Sequence, residues 1–254
     1  MSELRVVNCS KYFNRDQERL CAMRSISMRV ASGRFVSIIG PSGCGKSTLF
    51  NLIAGLSTPT EGEILLDGEP ITGETGHVGY MLQKDLLLPW RSIIDNVIIP
   101  LEIRGVPKRK ARERALPMLQ KYGLGGFEHD HPDALSGGMR QRAGLIRTLL
   151  DDKSVILFDE PFGALDAQTR LHMQNWLLQI WSDFKKTVLF VTHDIEEAIY
   201  LSDEIYVFTP RPGQITARIE VGLPRPRGEQ VLLDQRFLTL KRELLLMLGE
   251  EHKQ

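Results

Sequence analysis

The chain has 254 residues, 42% hydrophobic and 25% charged, and its 32 basic and 32 acidic side chains cancel. That size allows one α/β domain, with or without an insertion, and the charge balance leaves no overall basic field to draw nucleic acid. Cys9, Cys21 and Cys44 are widely spaced, read as reduced thiols and show no zinc spacing. No apolar run is long enough to span a membrane, and Met1–Arg5 lacks the apolar core of a signal peptide.

Leu4–Cys9 and Ile26–Val30 alternate apolar and polar residues, so both are expected to be strands. Phe35–Ile39 is an apolar run that reads as a buried strand. It leads into Gly40-Pro41-Ser42-Gly43-Cys44-Gly45-Lys46-Ser47, which fits the pattern G-x-x-x-x-G-K-[ST], and Ser47–Ala54 reads as the helix that follows. The glycines let the backbone turn tightly, so that consecutive N–H groups form an anion nest at a helix N-terminus. Lys46 brings a full charge to the outer phosphates, and the Ser47 hydroxyl can ligate Mg²⁺. A nucleoside triphosphate is the expected ligand. Cys44 lies in this nest beside Lys46, so a lowered thiol pKa and inactivation by maleimide are expected of it.

Thr58–Gly62 is a turn signal, and Glu63–Leu66 and His77–Leu82 read as further strands. From about Lys84 to Leu150 the character changes. Ile93–Ile103 and Lys108–Tyr122 have helical spacing, which reads as a helical insertion. Strand–helix alternation then resumes: Val155–Phe158, Asp166–Phe184, Thr187–Val191, Ile195–Leu201 and Glu204–Phe208, the pattern of a mostly parallel sheet. The stretch Thr209–Arg227 reads as a loop, a short strand and a linker. Phe237–Leu248 reads as a leucine-rich helix packed onto the core.

Two further strings carry chemistry. Val155–Phe158 ends in Asp159 and Glu160, and a parallel sheet binds ligands beyond the carboxyl ends of its strands. Successive strand side chains point apart, so Asp159 suits the Mg²⁺ shell while Glu160 suits a base on the attacking water. In Leu135-Ser136-Gly137-Gly138-Met139-Arg140-Gln141, Ser136 reads as a helix N-cap and the glycines expose N–H groups, a second anion site. The two devices meet on one nucleotide or across a dimer; the string also fits a plain capped helix.

With these strings the chain resembles the nucleotide-binding subunit of ATP-binding-cassette transporters, from Leu4 to about Ile219. Gly40–Thr48 matches the P-loop, Gln83 the Q-loop, Leu135–Gln141 the signature, Asp159 and Glu160 the acidic strand end, Gly163-Ala164-Leu165-Asp166 the D-loop, and His193 the switch histidine. Phe13 matches the aromatic that stacks on adenine, with Tyr12 as the alternative. The resemblance implies an α/β P-loop core with a mostly parallel sheet, an antiparallel β subdomain and a helical insertion. The implied division is 1–83 and 151–220 for core and β subdomain, 84–150 for the helical subdomain and 221–254 for a C-terminal linker and helix. It also implies a head-to-tail homodimer or pseudo-dimer around two ATP molecules. Ser136, Gly137, Gly138 and Asp166 would act in trans, Glu160, Lys46 and His193 in catalysis, and Ser47, Gln83 and Asp159 around Mg²⁺.

Pro161–Asp166 and Thr192–Ala198 look like importer subunits. Leu86-Leu87-Leu88-Pro89-Trp90 and Arg211-Pro212-Gly213 look like the nitrate, sulfonate and taurine group. That likeness implies transmembrane permease partners, an indirect extracytoplasmic solute-binding protein, and a peripheral place on the cytoplasmic face of the membrane. Leu86–Trp90 is expected to be an exposed docking patch for the permease. An exporter or lipid-transport ATPase, or a soluble non-transport cassette ATPase, is the alternative.

Overall fold

The computed structural model describes residues 2–15, 18–163 and 165–250. Ala164, in the expected D-loop, and residues 251–254 of the expected C-terminal segment lie outside the described residues.

A six-stranded sheet carries the centre of the molecule. In spatial order it comprises β10 (Ile215–Glu220), β9 (Glu204–Phe208), β3 (Phe35–Ile39), β8 (Thr187–Val191), β7 (Val155–Asp159) and β6 (Gly79–Met81). All neighbours pair in parallel except β10, which runs antiparallel to β9. The interior strands show no polar–apolar alternation because both faces are covered. Phe35, Ile39, Ile156, Phe158, Val188 and Phe190 face one core. Val36, Ile38, Val155, Leu157, Leu189 and Val191 face another.

The second core lies against α1 (Lys46–Ile53) and a four-stranded antiparallel sheet. That sheet has the order β2 (Glu18–Val30), β1 (Leu4–Arg15), β4 (Glu61–Leu66), β5 (Glu69–Pro70). β1 and β2 run well beyond the expected Leu4–Cys9 and Ile26–Val30. Register shifts between Val6 and Tyr12 disturb the pairing, and Asn8 sits at φ 48°, so the alternation on which the reading rested is broken there.

The first core collects the helices α2 (Ile93–Val97), α3 (Ile99–Ile103), α4 (Lys108–Lys121), α5 (Gly137–Leu150), α6 (Ala167–Phe184), α7 (Ile195–Leu201) and α8 (Gln235–Glu250). The expected single helix over Ile93–Ile103 is two. Pro100 has no N–H to give the Asn96 carbonyl, and the first helix closes on Ile98, whose N–H bonds the Ile94 carbonyl at 3.1 Å. α8 packs through Phe237, Leu240 and Leu244, while Leu238, Leu245 and Leu246 stay exposed.

Candidate active site

The phosphate-loop sequence leaves β3 at Gly40 and enters α1 at Lys46. A Cβ on Gly40 would lie 2.8 Å from the Phe208 Cβ and 2.9 Å from the Phe208 carbonyl oxygen, so only glycine lets β9 pass so close. Gly43 and Gly45 hold φ values of 77° and 103°, a left-handed geometry that side chains resist. The loop is thereby curled over the start of α1. Lys46 is buried, and its Nζ donates to the carbonyls of Gly40 at 2.8 Å and Pro41 at 2.9 Å.

Asp159 ends β7 beside this loop. The Ser47 hydroxyl donates to its Oδ1 and the Tyr80 hydroxyl to its Oδ2, both at 3.3 Å. The carboxyl is buried, and desolvation pushes its pKa up against those two hydrogen bonds; the neighbouring Glu160 charge adds to the rise. Burial raises the Tyr80 phenol, and the same carboxylate adds to the rise.

Glu160 follows with φ 45°, in a region that non-glycine residues visit rarely. Its N–H bonds the Val191 carbonyl at 2.9 Å, so the end of β8 holds the turn in place. Its Oε2 lies 3.1 Å from Nδ1 of His193, which is carried just past the end of β8. Thr192 and Asp194 frame that histidine. The Thr192 hydroxyl bonds the buried Glu197 carboxyl, and Asp194 caps α7 by accepting from the Glu197 N–H at 3.2 Å.

A cleft of about 360 Å³ lies between the phosphate loop and the acidic strand end; His193 is not on its wall and is joined to it through Glu160. Ser42, Gly43, Gly45, Lys46, Ser47 and Thr48 line it, opposite Asp159 and Glu160, with Gln83 and Phe13 at its sides. Pro41 stands at the loop's bend, where its carbonyl holds Lys46. Phe13 is 43% exposed. The alternative, Tyr12, has its ring under the Arg19 guanidinium at 4.1 Å and is not on the cleft wall.

Ser136, Gly137, Gly138 and Asp166 line a different cleft, of about 490 Å³, that shares no lining residue with the first. Two helices begin there. The Ser136 hydroxyl accepts from the Met139 N–H at 3.3 Å, capping α5, and Asp166 Oδ1 accepts from the Thr169 N–H at 3.0 Å, capping α6. The Thr169 bond holds the Asp166 carboxyl below its usual range. Both helix N-termini direct positive potential into one hollow. One chain therefore does not bring its two anion-seeking devices onto one nucleotide.

One expectation fails here and another holds only in part. Cys44 is 1% exposed, with its side chain turned into the core of the antiparallel sheet, and desolvation raises its thiol pKa despite the nearby Lys46 ammonium. Its sulfur does not face the cleft but takes a long contact, 3.7 Å, from the Lys46 ammonium. In the Leu86–Trp90 patch, Leu87 is buried. Leu86 and Trp90 are exposed, and Leu86 with Leu88, Ile99 and Pro100 lines a groove of about 400 Å³.

Sequence reasoning missed Leu20, Ala22 and Arg211 on the cleft wall, and Tyr80 behind Asp159. Leu20 and Ala22 lie on the half of β2 that the broken alternation concealed. Arg211 comes from a loop distant in sequence, and Arg211-Pro212-Gly213 drew notice only as a group resemblance, not as part of the site.

The chain matches the ABC transporter family over residues 23–163. It is 45% identical to an uncharacterized ABC transporter ATP-binding protein of Methanocaldococcus jannaschii, over 98% of this chain and 92% of that protein. It is 44% identical to a taurine import ATP-binding protein of Yersinia pestis, over 88% of this chain and 90% of that protein. It is 42% identical to an aliphatic sulfonates import ATP-binding protein of Bacillus cereus, over 93% and 92%. Among solved structures it resembles a dimeric, post-hydrolysis ATP-binding cassette bound to ADP and Pi, with a TM-score of 0.75 and 30% identity over 89% of this chain and 99% of that one.

Proposed function

The chain belongs to the ABC transporter family, and from that premise we propose that this ATP-hydrolysing subunit drives a sulfonate- or taurine-type importer through two composite sites built across a dimer. The observation that carries the reading is the separation of the two clefts. The phosphate loop, Asp159 and Glu160 line one, and Ser136 with Asp166 lines the other. A head-to-tail pair closes each P-loop cleft with the partner's signature cleft.

In that pair ATP lies on the P-loop, Gly40 to Thr48, held by its N–H groups from Ser42 onward, with Lys46 turning from its carbonyl partners to the outer phosphates and Phe13 against the base. Glu160 takes the proton of the attacking water, and His193, held against Glu160, positions that water and the γ-phosphate. Ser136, Gly137 and Gly138 of the opposite subunit supply hydrogen-bond donors to the γ-phosphate, and Asp166 meets the interface beside them. Hydrolysis therefore waits for the second subunit, because each chain holds the base but lacks the trans donors.

The donor set fits Mg²⁺. Ser47 and Asp159 are hard oxygen ligands 3.3 Å apart, and Gln83 lines the same cleft. Bound with the nucleotide, the metal would neutralise phosphate charge. A buried carboxylate with a raised pKa is the kind of group that a cation relieves.

Residues 84–150 are read as a helical subdomain that carries the signature at its end and the Leu86–Ile99–Pro100 groove on its flank. That groove receives a membrane-spanning permease subunit, and an extracytoplasmic binding protein delivers the solute to that permease. No helix among the described residues is long and apolar enough to cross a membrane, so attachment to the cytoplasmic face runs through the permease. The chain is to be purified with the membrane proteins that accompany it, reconstituted in vesicles and supplied with ATP. Uptake of labelled taurine or alkanesulfonate is the expected result. ATP-dependent export, or recovery of the active ATPase without any membrane partner, would overturn the reading.

A further inference from the structure

The loop between β9 and β10 is pressed against the phosphate loop. Its ends are tied by Thr209, whose N–H bonds the Gln214 carbonyl and whose hydroxyl accepts from the Gln214 N–H, both at 2.9 Å. Its tip is spliced to β2. The Gly213 N–H bonds the Ala22 carbonyl at 3.1 Å, and the Gly213 carbonyl accepts from the Arg24 N–H at 3.0 Å. A Cβ on Gly213 would lie 2.0 Å from the Cys44 carbonyl oxygen, so the loop touches the P-loop backbone itself. Arg211 is presented from this clamped hairpin. Its guanidinium lines the P-loop cleft, with Nη2 3.4 Å from the Gly43 carbonyl oxygen.

The position is unusual for a surface arginine. Among the described residues no carboxylate lies within ion-pair distance of Arg211, and its one polar contact is long. The cleft walls carry two acids, Asp159 and Glu160, and Lys46 is the other cation. Lys46 is buried and tied to two carbonyls, whereas Arg211 is exposed. A guanidinium offers several N–H donors in a planar fork, and phosphate oxygens suit that fork. The group beside it is the Gly43 carbonyl of the P-loop, the loop whose N–H groups are read as the phosphate cradle.

We propose that Arg211 is a nucleotide-binding residue that donates to the phosphate chain of ATP, supplementing Lys46. The inference rests on the reading of the P-loop cleft as the ATP site. The side chain binds and orients phosphate; it takes no part in activating water.

Equilibrium binding of ATP, ADP and adenosine to the full-length wild type, Arg211→Ala and Arg211→Lys tests it, with thermal melting as the folding control. Arg211→Ala should weaken ATP and ADP about tenfold, the scale of one charge-assisted contact, and leave adenosine unchanged. Arg211→Lys should recover part of the loss, because it keeps the charge but not the fork. A rise in salt should narrow the gap between wild type and Arg211→Ala. Unchanged ATP affinity in Arg211→Ala overturns the proposal, as does equal weakening of adenosine, which would mark a contact to base or ribose. A wild type that fails to bind ATP overturns the reading of the cleft as well, so the two failures are distinct.

Discussion

Nδ1 of His193 lies 3.1 Å from Oε2 of Glu160, joining the ends of the adjacent parallel strands β7 and β8. The contact is possible because Glu160 turns out of β7 with φ 45° while its N–H is held by Val191, two residues before the histidine. The proposed base and the proposed switch histidine are thus positioned by one strand pair.

Glu160→Gln should therefore keep the turn and lose the base. Phosphate release should fall by about a hundredfold or more, the scale of a lost general base, with ATP affinity retained. The variant should persist as an ATP-bound dimer by light scattering. Near-normal turnover would remove Glu160 from this role.

Ser136→Arg should abolish hydrolysis by filling the signature cleft, while ATP affinity of the isolated chain stays near wild type because the P-loop cleft shares no lining residue with it. A mixed dimer of Ser136→Arg with Lys46→Ala retains one intact composite site, so its activity should reach at most half that of the wild type. Loss of ATP binding in the Ser136→Arg monomer would contradict the trans arrangement.

Asp159→Asn should trade activity for stability. Burial raises the folded-state pKa of Asp159 above its ordinary value of 3.8, so above that value the folded state bears the cost of ionising it. Asparagine removes that cost. Without nucleotide, the variant should melt about 2–4 °C higher at pH 7 for each kcal/mol relieved. The gain should appear as pH rises through the window above 3.8 and vanish below it. ATPase activity should be lost. An equal gain at all pH values would show that ionisation is not the cause.

Cys44 should resist maleimide in the folded protein and react only in denaturant, because the thiol is buried and its pKa raised. Peptide mass spectrometry before and after urea reads this directly. The half-buried Cys21 serves as the internal reference.

Leu86→Asp and Trp90→Ala change exposed side chains and should leave melting temperature and soluble ATPase activity near wild type. Recovery with the membrane partner should fall. Leu87 is unsuitable for this test, since a charge at that buried position would act on folding.

The parts of the fold that could be read from sequence were those where one physical signal dominates. β3, β8 and β9 are buried on both faces and appear as mainly apolar runs, with Ser37, Thr187 and Glu204 their only polar members, at the bounds observed. Ser136 announces a helix because a side-chain oxygen before an exposed N–H is a local matter. The outer halves of β1 and β2 were hidden because Lys11, Arg19 and their neighbours sit on an exposed, irregular ribbon with no core to impose alternation. The break at Ile98 depended on one proline within an apolar stretch. In the site, the P-loop and the acidic strand end are contiguous motifs. Arg211 reaches the same cleft, and Tyr80 braces Asp159 from behind, from elements that only the sheet order brings near. Cys44 shows the limit of motif reading: the string placed the residue in the nest, but not the direction of its side chain.

The phosphate loop is braced from behind at two points, Gly40 against Phe208 and Cys44 against Gly213, and its lysine is already tethered to two of the loop's own carbonyls. The disorder that a loose glycine-rich loop would surrender on meeting its ligand has therefore been given up during folding. Binding then becomes an exchange of hydrogen-bond partners around Lys46, and not the ordering of a mobile segment.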